Sequence, residues 1–545
     1  MRSRSTLKQY GELDTDLKCK VLKLQADSKM ERLYKELENY GNSDFYPFHM
    51  PGHKRNKACV EGDFPIERDI TEIDGFDDLH HSEGILLEAQ NALSRLYGTK
   101  RSFFSVNGST AGLLAAISAS VKKGGRILTA RNCHKAVYHA IYLRDLVPTY
   151  IYPQSDSDLG INGAISVSRV ERCLEENPDI EAVLITSPTY DGVVSDVRRI
   201  ADVAHSYGIP LIVDEAHGAH FRFSDYFPAS AVDLGADVVI QSFHKTLPAM
   251  TQTAVLHLCS DRVSEKLICR FLGIYETSSP SYILMSSLDA CVAKLEKDSG
   301  RMFDEFAENL ETARKQLSNC EYIRLFQAPD EKSGEKDAQD RTEIFAYDRS
   351  KLILSTVHST LNGPGLSRIL REKYHLEVEM TTENYVLALA AVGDTREGFS
   401  RLCRAVEEID RQEAQKIISE SDAGKQEYRE SKPDVCQSCE GEARTDERRN
   451  GDCTCKYGSM KQLMSISQAM EAQAQFCLLE ESIGKISAEF VYLYPPGIPI
   501  IVPGEQITGL FVRNVRRCRE QGLNLYGLCG ENEESICVVK EQAEV

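Results

Sequence analysis

The 545-residue sequence has no apolar run long enough to span a bilayer, which takes about 20 consecutive apolar residues. The opening stretch MRSRSTLKQYGELDTDL is basic but lacks the apolar core of a secretory signal, which argues against export and for the cytoplasm. Clustered lysine and arginine are missing too. The 64 Lys and Arg face 83 Asp and Glu, a formal net charge of −19, and without a basic patch to neutralise phosphates no nucleic-acid partner is expected. An acidic surplus of this kind reports solubility before it reports a substrate. A disulfide framework is absent as well: the 17 cysteines are scattered through apolar segments, as at Cys173, Cys259, Cys291 and Cys518, and read as reduced core thiols.

What is present is an ordinary globular composition, 42% hydrophobic and 27% charged, so neither disorder nor a fibrous repeat dominates. The length exceeds one compact domain and suggests two to four. Residues 1–45 read as an N-terminal helical arm, because residues 20–40 carry apolar residues at helical spacing, with Leu22, Leu24, Leu33, Tyr34 and Leu37 available for one stripe. Over residues 46–287 helical segments alternate with short apolar runs: RILTA, PTYIYP, EAVLITSP, PLIVDEAH, DVVIQSFH and TAVLHLC. Strands that lack polar alternation and are separated by helices predict an α/β unit with a mainly parallel sheet covered on both faces. Residues 288–411 change character: a long helical stretch from Leu288 to Leu317 precedes YIRLF, SKLILST and YVLALAAV, as expected of a smaller α+β domain. The segment 412–460 is polar and poor in large apolar residues, hence expected to be a mobile insertion. Structure is expected to resume in a C-terminal unit over 461–545.

The insertion carries Cys436, Cys439, Cys453 and Cys455 as C-x2-C followed by C-x-C. The last pair is tighter than the usual zinc-ribbon spacing, so these read as incidental loop cysteines and no metal is assigned.

The residues that carry chemistry stand at the ends of the apolar runs. Lys245 follows DVVI within QSFHKTL. Alone it would pass for a surface lysine, but at the end of a buried strand its pKa falls and its amine becomes fit for Schiff-base formation. Asp214 ends the run LIVD, 31 residues earlier, a spacing that admits one helical crossover and a neighbouring strand. An aspartate there can pair with the protonated pyridine nitrogen of pyridoxal 5′-phosphate (PLP), where its alternative is a strand-end cap. Asn107-Gly108-Ser109-Thr110 stands before the helical run AGLLAAISAS; it would serve as an N-cap or as a cradle for phosphate. His134, in NCHKA after RILTA, could stack on a pyridine face.

Taken in order, FHMPGHK, DITEIDGFDDLHH, NGST, NCHKA, SPTYDG, VDEAHGAH, SFHKTLPA and YPPGIPIIVPGE resemble the Orn/Lys/Arg decarboxylase family of fold-type I PLP enzymes. The resemblance implies an aspartate-aminotransferase-like large domain over 46–287, with smaller α+β and C-terminal α+β domains after it. It implies that Lys245 holds the cofactor as a Schiff base and that Asp214 holds the pyridinium nitrogen. Ser109, Thr110 and Ser242 would bind phosphate, His134 would stack on the ring and Ala216 would pack on the opposite face. His244 would lie beside the Schiff base, and His217 would follow Ala216 where some family members place a tryptophan. Thr277 and Ser278, in ETSSPSY, resemble the segment that reaches a neighbouring subunit's phosphate, so at least a homodimer is expected. About 45 residues precede FHMPGHK, too few for the wing domain of the larger family members, which suggests the shorter, biosynthetic-type branch.

The expected reaction is decarboxylation of arginine, lysine or ornithine, with arginine preferred, and Lys245 or His244 returning a proton to Cα. The alternatives are an aminotransferase of the same fold and a catalytically silent regulator. A substrate cation requires carboxylates, and Asp74, Asp77 and Asp78, close to the motif that resembles the active-site entrance, are the acids the sequence offers.

Overall fold

The computed structural model describes residues 31–154, 159–328, 344–422, 460–495, 497–530 and 534–540. Leu22 and Leu24 of the helical arm and the four cysteines of the polar segment lie outside the described residues.

Seven strands form the central sheet: β1 (Arg101–Ser105), β2 (Arg126–Ala130), β3 (Val147–Ile151), β4 (Ile180–Thr186), β5 (Leu211–Asp214), β6 (Val238–Gln241) and β7 (Ala254–Leu258). Their order is β1-β7-β6-β5-β4-β2-β3. Strands β3, β2, β4, β5 and β6 pair in parallel, whereas β7 runs antiparallel to both β6 and β1. The apolar runs are unbroken because both faces are covered. In β5, Ile212 packs into a core shared with the helices Gly108–Ser120, Lys135–Arg144 and Glu265–Tyr275. Its neighbours Leu211 and Val213 pack into the opposite core with the helices Val167–Glu176 and Val197–Ser206. All three are 0% exposed, and full burial of each contributes about 1.5–3 kcal/mol. Strand β1 has no counterpart among the predicted runs. Its sequence RSFFS includes serines that are buried but bonded, as Ser102 Oγ is to His257 Nδ1 at 2.8 Å, so it does not read as an apolar run.

The long helix spans Tyr282–Leu317 and starts earlier than Leu288, because the Ser281 side chain accepts the Leu284 N–H and caps it. Leu33 and Leu37, on the helix Leu33–Gly41, are buried in the same core as this helix. The smaller domain adds an antiparallel sheet in the order Met380–Thr381, Tyr385–Leu389, Lys351–Ser355, Arg324–Leu325. The helix Arg396–Asp422 continues through 412–422, where the polar segment was expected to begin. Buried Glu413 anchors this stretch by accepting the N–H and hydroxyl of Thr360 at 2.8 and 2.6 Å. The C-terminal unit pairs Ala474–Leu478 with Ser535–Val539, and Val491–Leu493 with Ile498–Ile501 and Leu525–Tyr526, around a core of its own. Among the described residues no helix is long and apolar enough to cross a membrane.

Candidate active site

Ligands of open α/β sheets gather at the carboxyl ends of parallel strands, and here those ends open on one cavity of about 480 Å3. Gly108, Ser109 and Thr110 come from the turn after β1, Asn132 and His134 from the turn after β2, and Thr186 from the end of β4. Asp214 ends β5, and Ser242, His244 and Lys245 follow β6. The opposite side consists of Glu379 and Leu389 from the smaller domain and Tyr494, Pro495 and Ile498 from the C-terminal unit.

The polar groups on the sheet side are held in defined states. Burial lowers the Lys245 pKa, while the charges of Asp214 and Glu379 oppose the shift. The Lys245 amine lies 3.0 Å from His217 Nε2. His217 Nδ1 is buried without a hydrogen-bond partner, so Nε2 accepts from the amine when Lys245 is protonated. Burial, followed by the Lys245 charge, holds His217 well below its usual pKa and therefore neutral. His134 is likewise pushed down to about 4, by burial first and Lys245 second. Its Nδ1 accepts the Ala136 N–H at 3.2 Å and caps the helix Lys135–Arg144. His244 Nδ1 is 2.8 Å from the Thr253 carbonyl. Since a carbonyl only accepts, that nitrogen donates.

Asp214 is buried and its Oδ1 receives the Ala216 N–H at 3.2 Å. Burial raises its pKa even though Lys245 is nearby, so a further cation in the cavity would stabilise the carboxylate. At the other end, Asn107 precedes a helix that begins at Gly108 and has no side-chain cap; the Gly108 N–H donates to the Gln252 carbonyl at 3.0 Å, so an anion would be met by the N–H groups that follow it. Gly108 has φ +70°, the left-handed region that glycine enters without steric penalty. Ser242 Oγ is buried without a partner, and such a hydroxyl seeks one. One cavity thus brings together an amine, a buried carboxylate and an anion cradle.

Ser109, Thr110, His134, Asp214, Ala216, His217, Ser242, His244 and Lys245 all line this cavity. Thr277 and Ser278 do not. The Thr277 N–H donates to Asn107 Oδ1 at 3.1 Å and its carbonyl meets His80, which fixes the loop beside the cradle but outside the cavity. The three acids Asp74, Asp77 and Asp78 do not line this cavity either. Asp77 accepts backbone N–H groups of Asp78, Glu83, Gly84 and Leu86. Asp78 caps a turn through the His80 N–H and pairs with His81, while Asp74 is exposed. Loop capping uses the carboxylates of Asp77 and Asp78.

Several lining residues were not singled out in the sequence. Asn132 and Tyr190 stand inside NCHKA and SPTYDG, and Tyr494 and Ile498 inside YPPGIPIIVPGE, so those motifs carried a signal. Glu379 carries none, being one acid among 83. It accepts a short hydrogen bond from the Tyr190 hydroxyl, and the Tyr190 ring stands edge-on to His217 with centroids 4.5 Å apart.

Residues 31–398 match the family described as Orn/Lys/Arg decarboxylase, major domain, and residues 455–526 match the C-terminal domain of that family. An arginine decarboxylase of Bacillus subtilis (strain 168) is 31% identical over 516 residues, covering 94% of this chain and 98% of the relative. The lysine decarboxylase LdcA of Pseudomonas aeruginosa is 24% identical, over 85% of this chain and 72% of the relative. Among solved structures, the lysine decarboxylase LdcF of Francisella novicida superposes with a TM-score of 0.74 at 18% identity, covering 96% of this chain and 83% of that one. This last likeness speaks to the fold.

Proposed function

The chain belongs to the Orn/Lys/Arg decarboxylase family, and from that membership we propose that its substrate is arginine and that Lys245 anchors the cofactor. It is a PLP-dependent decarboxylase of a basic amino acid. The observation that carries the proposal is that Lys245, Asp214 and Glu379 line one cavity. Relatives named arginine decarboxylase stand at 30–31% identity, and a lysine decarboxylase stands at 24%; this gradient supports arginine.

The residues fit PLP. The buried Asp214 carboxylate, with its raised pKa, suits a protonated ring nitrogen, and the unpartnered Ser242 hydroxyl suits a phosphate oxygen. When bound, PLP supplies the electron sink for the pair left on Cα as the carboxylate departs as carbon dioxide. The chain's own part is to hold and exclude. Ser109, Thr110 and Ser242 hold the phosphate at the helix N-terminus. Asp214 keeps a proton on the ring nitrogen, while His134 and Ala216 confine the two ring faces. Neutral His217 accepts a hydrogen bond from the Lys245 amine and so fixes where it points. Lys245, with its lowered pKa, or His244 delivers a proton to the substrate Cα. Glu379 receives the guanidinium at the far end of the substrate, because of the two carboxylates that line the cavity it is the one left once Asp214 holds the ring nitrogen. A desolvated cation left without such a partner would be several kcal/mol less favourable.

The cofactor-binding domain is assigned to 46–287, the smaller domain to 288–411 and the C-terminal domain to 461–545. The active unit is at least a homodimer. Phe45, Tyr46 and Phe48 are 68%, 68% and 92% exposed, and such an apolar patch is a partner-facing surface. Thr277 and Ser278 then reach the phosphate of the second subunit. The enzyme acts in the cytoplasm, where buried free thiols such as Cys133 and Cys291 stay reduced. The test is carbon-dioxide release measured with arginine, lysine and ornithine side by side on PLP-loaded protein. Arginine is expected to give the highest kcat/KM; a clear preference for lysine or ornithine would overturn the substrate.

A further inference from the structure

The turn that carries His134 is tied to the C-terminal unit by an ion pair that touches no part of the cavity's chemistry. Arg131 and Glu505 are separated by 374 residues and both are buried. Guanidinium Nη2 lies 3.0 Å from Oε2 and 3.3 Å from Oε1 of Glu505, and Nε lies 3.3 Å from Oε1. The remaining nitrogen, Nη1, donates to the Pro499 carbonyl at 2.7 Å and to the Tyr138 hydroxyl at 2.9 Å. Every nitrogen of the guanidinium therefore has an acceptor. Glu505 Oε2 also accepts the Val502 N–H at 2.9 Å, which makes the carboxylate the fastener of its own loop.

This clasp sets how the C-terminal loop bears on the cofactor site. The Lys135 N–H donates to the Gly497 carbonyl at 3.2 Å. A Cβ added to Gly497 would sit 3.5 Å from Cδ2 and Nε2 of His134, so the loop passes beside the imidazole at about the distance of one intervening methyl group. Gly497 has φ +82°, a conformation other residues rarely hold. Arg131 grips the strand Ile498–Ile501 directly after this contact and stands three residues before His134 itself.

We propose that Arg131 and Glu505 are positioning residues for His134: by clamping the Gly497 backbone beside the imidazole, the pair fixes the face that His134 presents to PLP. The proposal rests on the reading that His134 packs against the PLP ring. It makes the C-terminal unit a working wall of the site. Removing both members of a buried ion pair together disturbs stability less than removing one, which helps to separate positioning from simple adhesion.

The experiment titrates PLP into the apo forms of the full-length chain, reading dissociation constants and the visible circular dichroism of bound PLP alongside kcat and KM. The double variant Arg131→Met/Glu505→Leu removes both charges together but leaves the Pro499 carbonyl and the Val502 N–H without these partners, so its thermal midpoint should fall while the chain stays folded, and binding is read well below that midpoint. It should still weaken PLP binding by about 10-fold, the usual scale for losing a residue that orients a ligand-contacting group, and alter the visible dichroism. A folded double variant with parental PLP affinity and dichroism would overturn the proposal. If that variant does not fold, Arg131→Lys decides: it keeps the charge but cannot hold both Glu505 and Pro499, so a weakened PLP affinity supports positioning and an unchanged one overturns it. His134→Ala separates this from failure of the underlying reading. If His134→Ala leaves PLP affinity and dichroism untouched, His134 does not face the ring, and both proposals fall; if it weakens PLP while the clasp variants do not, only the clasp falls.

Discussion

The two sides of the catalytic cavity are built from different materials. The cofactor side consists of strand ends and the turns that follow them, so each group is fixed by buried backbone: Asp214 by the end of β5, Ser242 and Lys245 by the end of β6. The substrate side is assembled from the smaller domain and the C-terminal unit, and its charged group, Glu379, is exposed apart from its bond to Tyr190. Buried polar groups must be satisfied and hence hold still, whereas an exposed carboxylate on a separate unit can follow its ligand. Under the proposed function, one side defines the chemistry and the other the choice of amino acid. Mutations on the two sides should have separable effects.

The largest effect should come from Lys245→Ala. Turnover should fall to background and the visible absorbance of the protein-bound cofactor should disappear, while the far-ultraviolet dichroism of the folded chain persists. A variant that keeps the absorbance band would exclude Lys245 as the anchor. Asp214→Asn comes next: an amide cannot hold the ring-nitrogen proton as a carboxylate does, and kcat should fall by roughly 10²–10⁴, the range for a lost proton-handling group. PLP should still bind covalently, which absorbance at saturating PLP would verify. A kcat within a few-fold of the parent would break the assignment of the cofactor side.

Glu379→Gln probes the other side. Losing a hydrogen bond to a charged group changes binding by about 1.5–3 kcal/mol, so kcat/KM for arginine should fall by about 10- to 100-fold, mostly through KM. PLP affinity should not move. If PLP affinity weakens as much as KM rises, the two sides are not separable and the comparison fails.

The same contrast explains what the sequence made legible. On the cofactor side, chemistry is local to strand ends, and a run such as LIVD or DVVI followed by a polar residue marks the place; Lys245, Asp214, His134 and the Ser109–Thr110 cradle were read in that way, whereas Ala216, His217, Ser242 and His244 came from the family resemblance. The substrate side depends on how separate units dock, and no local pattern around Glu379 encodes where the smaller domain sits. Periodicity also missed β1, whose buried serines break the apolar run, and placed the start of the long helix six residues late because the Ser281 cap was not read. The acids at 77 and 78 pose a related difficulty. Sequence shows that a carboxylate is present but not whether backbone donors have already claimed it.

The smallest effect tests that last point. Asp77 sits at φ +68°, a left-handed conformation that aspartate tolerates better than most residues. Its carboxylate gathers N–H groups at 3.0 Å from Asp78 and Glu83, 2.7 Å from Gly84 and 3.2 Å from Leu86, closing the entry to the helix Ile85–Tyr97. Removing such a cap costs about 0.5–2 kcal/mol, so Asp77→Ala should lower the thermal midpoint slightly while kcat and KM for arginine, measured well below that midpoint, stay near parental. A rise in KM comparable to that of Glu379→Gln, without loss of stability, would return Asp77 to the substrate side, by way of a neighbouring subunit's cavity.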